Sequence, residues 1–444
     1  MSKSLHIVGI GGAGMSGLAR LAHESSWVVT GSDDHDSETV SELRALGILV
    51  SIGPSPDEWL TAEVVTSSPA VSREHPDIRR ATVRGSFVAR GQALELVSHP
   101  WHLVSVAGTH GKTTATSMAA FVARSDGRDA SWLVGAPIPS LGANAHGGTS
   151  PLVMETDESF GTFTFLTPDD LILLNVDADH LDHYGSEAAL HGAFADLVER
   201  TPGIVVVVQR DSTAGRLAAE RRPVTTVGRD LEDYRISNEH FSGTTSAFHL
   251  SGPRGDVDLI LKVPGRHNVD NAAAVAVWAL ESGYSPDHVA HGLASFRGAP
   301  RRFTQVATRG RTHLIDDYAH LPREVSATIA AARAGGFSRI GVIFQPHRVT
   351  RTRLLAPTFA GAFTGVERLI VTDVYRSGEP AEEGVDGRLI VNAVQGDVPH
   401  VTYVPTLSAA KELAEKWFDD LDAIIVMGAG DVADIAAQWG HHED

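Results

Sequence analysis

The chain has 444 residues, 42% hydrophobic and 21% charged, with a formal charge of −18: a globular composition, long enough for two to four domains at about 100 to 200 residues each. So acidic a protein repels a polyanionic backbone, and no basic patch offsets it, which argues against nucleic acid as a partner. It contains no cysteine, which excludes disulfides, thiolate catalysis and cysteine-ligated metals and suits a reducing cytoplasm.

The first residues break into glycines before a signal-peptide core can form, and no apolar run reaches the roughly 18 residues that span a bilayer. A soluble, cytoplasmic protein without membrane insertion is expected. "HIVGIGGAGMSGLA", residues 6–19, runs from an apolar strand through a glycine-rich turn into a helix. Gly9, Gly11 and Gly14 match the G-x-G-x-x-G spacing, and Asp33 follows at about the 20-residue distance of a ribose-binding carboxylate. The motif leaves two readings open, an NAD-dependent dehydrogenase or a holder of some other diphosphate.

"WVVTGSD" and "AEVVTSS" are the next strands, followed by "HLVSVAG", "PLVMETD", "LILLNVD" and "GIVVVV" with helical stretches between them. This alternation predicts parallel sheets covered by helices. "YRISNEHFSGTTSAFHLSGPRGDVDLILKVPG" reads as antiparallel strands joined by glycine turns, and "FRGAPRRFTQV" as a hinge. A third series begins at "THLIDDYAH" and continues through "RIGVIFQ", "RLIVTDVY" and "AIIVMGAGD". The expected fold class is α/β, with three domains, each a mostly parallel sheet flanked by helices, over 1–98, 99–296 and 297–444.

"VSVAGTHGKTTATSMAA" carries the second strong signal. A strand ends at Ala107, the turn holds Gly108 and Gly111, and Lys112, Thr113 and Thr114 open a helix. Such a turn aims backbone N–H groups into one concavity, while the lysine meets the outer phosphates and a threonine hydroxyl reaches Mg²⁺. The spacing is shorter than G-x-x-x-x-G-K-[ST], because Val106 stands where the first glycine would be. Glu155 and Asp157 follow one later apolar run, and Asp179 and His180 follow another, at the strand ends where ligands of open α/β sheets bind. Glu155 and His180 are candidates to coordinate Mg²⁺ beside a nucleoside triphosphate. Alternatively, the acids are solvated turn residues, and Asp179 or Asp182 caps a helix.

"GIGGAGMSGLA", "AGTHGKTT", "METDESF", "NVDADHLDHYG", "PGRHNVDNAAAVAVWAL", "RRFT", "DDYAH", "FQPHRVTRT" and "GAGD" occur in this order along nearly the whole chain, and in this it resembles the Mur ligases. The resemblance implies a Rossmann-like N-terminal domain for a UDP sugar, a central P-loop domain for ATP and a Rossmann-like C-terminal domain for an amino acid. It implies ATP-dependent ligation of L-alanine to UDP-N-acetylmuramate through an acyl phosphate, in peptidoglycan precursor synthesis. A ligase that recycles murein tripeptide onto the same UDP sugar shares most of these motifs. An NAD-dependent dehydrogenase would leave Lys112 without a role, and a catalytically silent nucleotide-binding protein is the remaining alternative.

Residue by residue, the resemblance assigns Gly108, Thr109, His110, Gly111, Lys112, Thr113 and Thr114 to the ATP loop and Thr113, Glu155 and His180 to the metal. It puts His267, Asn268 and Asn271 at the adenine side, Arg302 at the γ-phosphate and Asp317 at the nucleotide. Read without it, Asn268 is a helix cap, and Arg302 and Asp317 are surface charges. Gly11, Gly12, Ala13, Gly14, Ser32, Asp33, Ser67 and Ser68 fall to the UDP sugar. Tyr318, His320, Arg348 and Arg351 fall to the muramate carboxylate and the incoming alanine. Two arginines three apart at a helix start are expected to share one face and clamp an anion. Lys112, Glu155, His180, Arg302 and His320 form the expected catalytic set, and a hinge closure is expected to bring Arg302 and Asp317 into play. The chain departs from the family's usual "DDYAHHPTE" at Leu321 and Arg323, which bears on the support of His320 and the alanine pocket, and Val349 stands where an aromatic is common.

Overall fold

The computed structural model describes residues 3–179 and 181–440. The first sheet contains β1 (Ser4–Val8), β2 (Val28–Asp33), β3 (Leu49–Ile52) and β4 (Val64–Ser67) in the order β3-β2-β1-β4, all parallel.

The second sheet contains β5 (Leu103–Ala107), β6 (Ala130–Leu133), β7 (Ala145–His146), β8 (Thr149–Glu155), β9 (Asp170–Leu173), β10 (Val205–Val208), β11 (Thr225–Gly228), β12 (Tyr234–Ser242), β13 (Thr245–Ser251) and β14 (Val257–Leu261). Their order is β14-β13-β12-β11-β10-β9-β5-β8-β6-β7. The strands from β11 to β6 in that order pair in parallel, and β7 is antiparallel to β6. The expected antiparallel excursion is β12 to β14: only Gly243 and Thr244 separate β12 from β13, and so short a connection joins antiparallel strands.

The third sheet contains β15 (Thr304–Arg309), β16 (Thr312–Asp317), β17 (Ile340–Phe344), β18 (Arg368–Val371), β19 (His400–Tyr403) and β20 (Ala423–Met427) in the order β15-β16-β20-β17-β18-β19. All pairs whose register is defined are parallel except β15 with β16.

The fold is therefore α/β, with three mostly parallel sheets flanked by helices. Strands such as "VVVV" of β10 and "IGVIF" of β17 are buried throughout, as parallel strands covered on both faces must be. Six strands beyond the expected set appear: β6, β7 and β11 in the second sheet, and β3, β15 and β19, the last three each at a sheet edge and partly exposed. One exposed face removes the apolar signal that marks an interior strand. β15 starts inside the stretch expected to be a hinge.

The chain forms two compact units, one of Met1–Asn238, Phe248–Leu259 and Asp270–Phe296, the other of Glu239–Ala247, Ile260–Val269 and Arg297–Asp444. In the first, Leu5, Ile7 and Leu18 share one apolar cluster with Leu103, Leu152 and Leu173, so the first two sheets have a continuous core. In the second, Val342, Phe344 and Ile425 pack on one face of the third sheet and Ile343, Ile424 and Val426 on the other. Among the described residues no helix is long and apolar enough to cross a membrane.

Candidate functional site

The loop after β5 is held by the end of β9. Asn175 accepts the amide of His110 through Oδ1 at 2.8 Å and donates to the carbonyl of His110 at 2.9 Å. The amide of Thr109 donates to the backbone oxygen of Asn175 at 3.2 Å. Thr109 Oγ1 sits between the backbone oxygen of Asp177 at 3.3 Å and the amide of Asp177 at 2.9 Å. Gly111 then turns the chain into the helix Lys112–Ala123 with φ of 86°, a conformation that only glycine adopts readily. A Cβ there would lie 2.8 Å from Oδ1 of Asn271, so Asn271, expected at the adenine side, packs against the loop. Thr114 lies buried in the first turn of that helix.

Lys112 Nζ donates to Gly108 O at 2.8 Å, to Thr109 O at 3.3 Å and to both carboxylate oxygens of Glu158 at 2.8 and 3.1 Å. Burial works against its charge, but Glu158 and Asp157 outweigh it and hold the ammonium above its ordinary pKa. Thr113 Oγ1 donates to Glu155 Oε1 at 3.1 Å, and the amide of Gly135 donates to the other oxygen at 2.7 Å. Burial pushes the Glu155 carboxyl up, so this oxygen is poised to gain from a cation. His180 lies outside the described residues, and among those described no group of three or more histidine and acidic side chains could hold a metal ion. A threonine hydroxyl and one carboxylate still suit Mg²⁺, which binds through one or two carboxylates, water and substrate phosphates.

In the glycine-rich turn, the amide of Gly11 donates to Asp33 Oδ2 at 2.8 Å. Asp33, expected on the substrate, therefore fastens the turn itself, and the Gly11 amide is already committed. Gly12 caps the helix Ala13–Glu24 without a side chain, and the amides of Ala13 and Gly14 have no acceptor within the helix. These are the anion-accepting groups the turn offers. Ser32 Oγ donates to buried Asp77 at 3.1 Å. Ser67 ends β4, and the Ser68 hydroxyl accepts the amide of Ala70 at 3.3 Å.

In the second unit, His267 lies exposed at the start of the helix Arg266–Glu281. Buried Asn268 donates through Nδ2 to Pro264 O at 2.7 Å, so its side chain ties the helix to the preceding turn as a donor, where a cap would accept an amide. Arg302 lies between Arg301 at φ of 57° and Phe303 at φ of 54°. Left-handed backbone at such residues costs about 1–3 kcal/mol each and persists where surroundings enforce it. Here the Tyr318 amide donates to Arg301 O at 2.6 Å and the Phe303 amide to Asp317 Oδ2 at 2.8 Å. Asp317 also accepts Ala319 N at 2.8 Å and Thr328 Oγ1 at 3.1 Å, so it is committed within its own unit as the clamp that presents Arg302. The Arg302 guanidinium lies 5.1 Å above the Tyr318 ring.

His320 approaches Tyr318 O through Nδ1 at 3.0 Å and its amide donates to Glu324 at 3.0 Å. Burial lowers its pKa, leaving the ring neutral near pH 7. Glu324 also accepts the amide of Leu321 at 3.2 Å, so support for His320 comes from Glu324 in spite of the departure at Leu321. Arg323 lies in the first turn of the same helix, Pro322–Ala334. The paired arginine face does not form: Arg348 precedes the helix Val349–Leu355 at φ of 70°, and only Arg351 lies on it. The reason is that the Arg348 amide is drawn to Tyr375 O at 2.8 Å, which turns the residue out of helical geometry. Arg351 Nη1 is 3.3 Å from Nδ1 of His347.

Sequence reasoning missed Asn175 and Glu158, the two side chains that fix the loop and its lysine. Both lie inside motifs already quoted, directly at strand ends, but a single polar residue in a turn gives no sign of what it bonds.

Two strand-to-helix glycine turns on parallel sheets, one carrying a lysine beside a buried carboxylate, define an α/β protein equipped to hold phosphates. The "Mur ligase family, catalytic domain" model matches residues 4–99, "Mur ligase middle domain" 106–279 and "Mur ligase, glutamate ligase domain" 301–430. The chain belongs to the Mur ligase family. It is 38% identical to the UDP-N-acetylmuramate–L-alanine ligase of Thermobifida fusca, over 97% of this chain and 94% of that one. It is 37% identical to that of Halorhodospira halophila, over 99% and 93%. Among solved structures, the UDP-N-acetylmuramate-alanine ligase of Thermotoga maritima superposes with a TM-score of 0.80 at 29% identity, covering 99% of this chain and 98% of that one.

Proposed function

We propose that this chain joins L-alanine to the lactyl carboxylate of UDP-N-acetylmuramate at the expense of ATP. A carboxylate oxygen takes the γ-phosphoryl group and ADP leaves. The amine of alanine then attacks the acyl carbon, and the resulting tetrahedral intermediate expels phosphate as the amide forms. No enzyme nucleophile is needed, so the protein's part is positioning and charge neutralisation.

The loop amides and Lys112 hold the outer phosphates of ATP in this reading, with the ammonium exchanging Glu158 for phosphoryl oxygens. Thr113 and Glu155, with His180 from the family pattern, would hold Mg²⁺, which when bound neutralises charge on the transferring group. Ala13 and Gly14 amides receive the sugar nucleotide's diphosphate, Arg302 serves the γ-phosphate, and neutral His320 and Arg351 serve the acid and the incoming amine. The observation that carries the reading is the largely covered lysine at the start of a helix, next to a threonine and carboxylate 3.1 Å apart.

The test is phosphate release from ATP with UDP-N-acetylmuramate present and acceptors added singly. L-Alanine is expected to drive turnover. Release driven by L-alanyl-γ-D-glutamyl tripeptide alone would reassign the chain to peptide recycling, and no release with any acceptor would end the ligase reading.

A further inference from the structure

Arg90 opens the helix Arg90–Ser98 and belongs to none of the motifs above. Its guanidinium lies against the first turn of the helix Ala13–Glu24: a Cβ built on Gly14 would stand 2.4 Å from Nη2 and 3.3 Å from Nη1. The glycine next to it brings it there, since a Cβ on Gly91 would lie 2.3 Å from Thr162 O, and any larger residue would push this helix away from the turn Ser159–Phe165. On its other side stand Asp157 and Glu155, near enough to favour its charge but beyond the 4.0 Å of an ion pair. Nε is buried with no hydrogen-bond partner. Among the described residues no ion pair or hydrogen bond holds this side chain.

Arg90 is half-buried, and a guanidinium partly withdrawn from water without an anion is disfavoured. Neighbouring arginines such as Arg80, paired with Asp57 and Asp77, show the usual arrangement. The planar fork suits two oxygens of a phosphate or carboxylate. It lies where the free amides of Ala13 and Gly14 attract negative charge.

We propose that Arg90 is a substrate-binding residue that grips the diphosphate of the UDP sugar, together with the first-turn amides of Ala13 and Gly14. The proposal rests on the functional reading above. It adds a cation to a site that otherwise offers only backbone amides, and it places that cation between the sugar nucleotide and the carboxylates beside the ATP loop.

The experiment is calorimetric titration of the full chain, wild type, Arg90→Lys and Arg90→Met, with UDP-N-acetylmuramate, UDP-N-acetylglucosamine, inorganic diphosphate and ADP, plus melting of the ligand-free proteins. Arg90→Lys is expected to weaken both UDP sugars about tenfold and Arg90→Met about a hundredfold, the loss of a charge-assisted fork, with ADP affinity unchanged. Ligand-free Arg90→Met is expected to melt no lower than wild type, because it removes an unpaired, partly buried charge; a merely structural arginine would lower both melting temperature and ADP affinity, and that result overturns the proposal. Weakening confined to the muramate sugar also overturns it, because the anion held would then be the lactyl carboxylate. If wild type binds inorganic diphosphate in an Arg90-dependent way but neither UDP sugar, the arginine site stands and the ligase reading falls. If nothing binds, both fall.

Discussion

Lys112 pairs with buried Glu158, Nζ lying 2.8 Å from one carboxylate oxygen and 3.1 Å from the other. The pair keeps the loop's cation in place and charged before any nucleotide arrives, and it makes two consequences separable. Lys112→Ala is expected to cut ligation at least ~100-fold, the scale for losing one donor at a reacting centre, while UDP-sugar affinity stays within about twofold. It also strands Glu158, costing about 3–5 kcal/mol. Lys112→Met/Glu158→Gln is expected to recover most of the melting temperature but none of the turnover. Normal turnover in Lys112→Ala would show the ATP site to be elsewhere.

Asn175 holds the loop from outside it. Asn175→Ala removes two hydrogen bonds to His110, worth roughly 1–3 kcal/mol together. The expected result in steady-state kinetics is a KM for ATP raised about tenfold or more at unchanged KM for UDP-N-acetylmuramate. An equal rise in both would mean that Asn175 supports the whole unit and not the loop.

Gly111 tolerates no side chain. Gly111→Ala forces a Cβ to 2.8 Å from Asn271 at a φ of 86°, so ADP binding is expected to fall steeply. Calorimetry with Gly111→Ala and with Gly127→Ala as a control separates clash from strain, since Gly127 has φ of 88° and open space around it.

His6 is fully buried, with Nδ1 2.8 Å from Thr30 Oγ1 and Nε2 3.0 Å from Ser55 Oγ. Burial lowers its pKa from 6.5 to about 4, against the opposing pull of Asp77. Between these values the unfolded chain binds a proton that the native ring refuses, so stability falls as pH drops through that window. The loss amounts to about 3 kcal/mol by pH 4. Urea midpoints measured from pH 7 to 4 are expected to show this fall in wild type and a shallower one in His6→Gln. Identical slopes would remove His6 as the cause.

Leu321 stands at the start of the helix Pro322–Ala334 and supplies no capping hydrogen bond. Leu321→Asn is expected to stabilise the chain by about 1 kcal/mol, read as a higher urea midpoint. Since Glu324 continues to hold His320, turnover is expected to remain near wild type.

The α/β class, most interior strands and the position of both glycine turns are legible in the chain alone, because buried parallel strands are written as apolar runs and tight turns need glycine whatever surrounds them; β6 and β11, interior but short, are not. It also carried the order of motifs by which the family is recognised. The partners emerge only from the folded chain: Glu158 for Lys112, Asn175 for His110, Asp33 for Gly11, and Arg348 outside its helix. The edge strands β3, β15 and β19 belong to the same class, being defined by a neighbour more than by their own hydrophobicity. A hydrogen bond or an ion pair joins residues tens of positions apart with no periodic trace in the chain, so it becomes visible only when the fold brings the two ends together. Arg90 is the clearest case, an unremarkable residue in the sequence that the packing of Gly14 and Gly91 turns into a half-buried, unpaired cation.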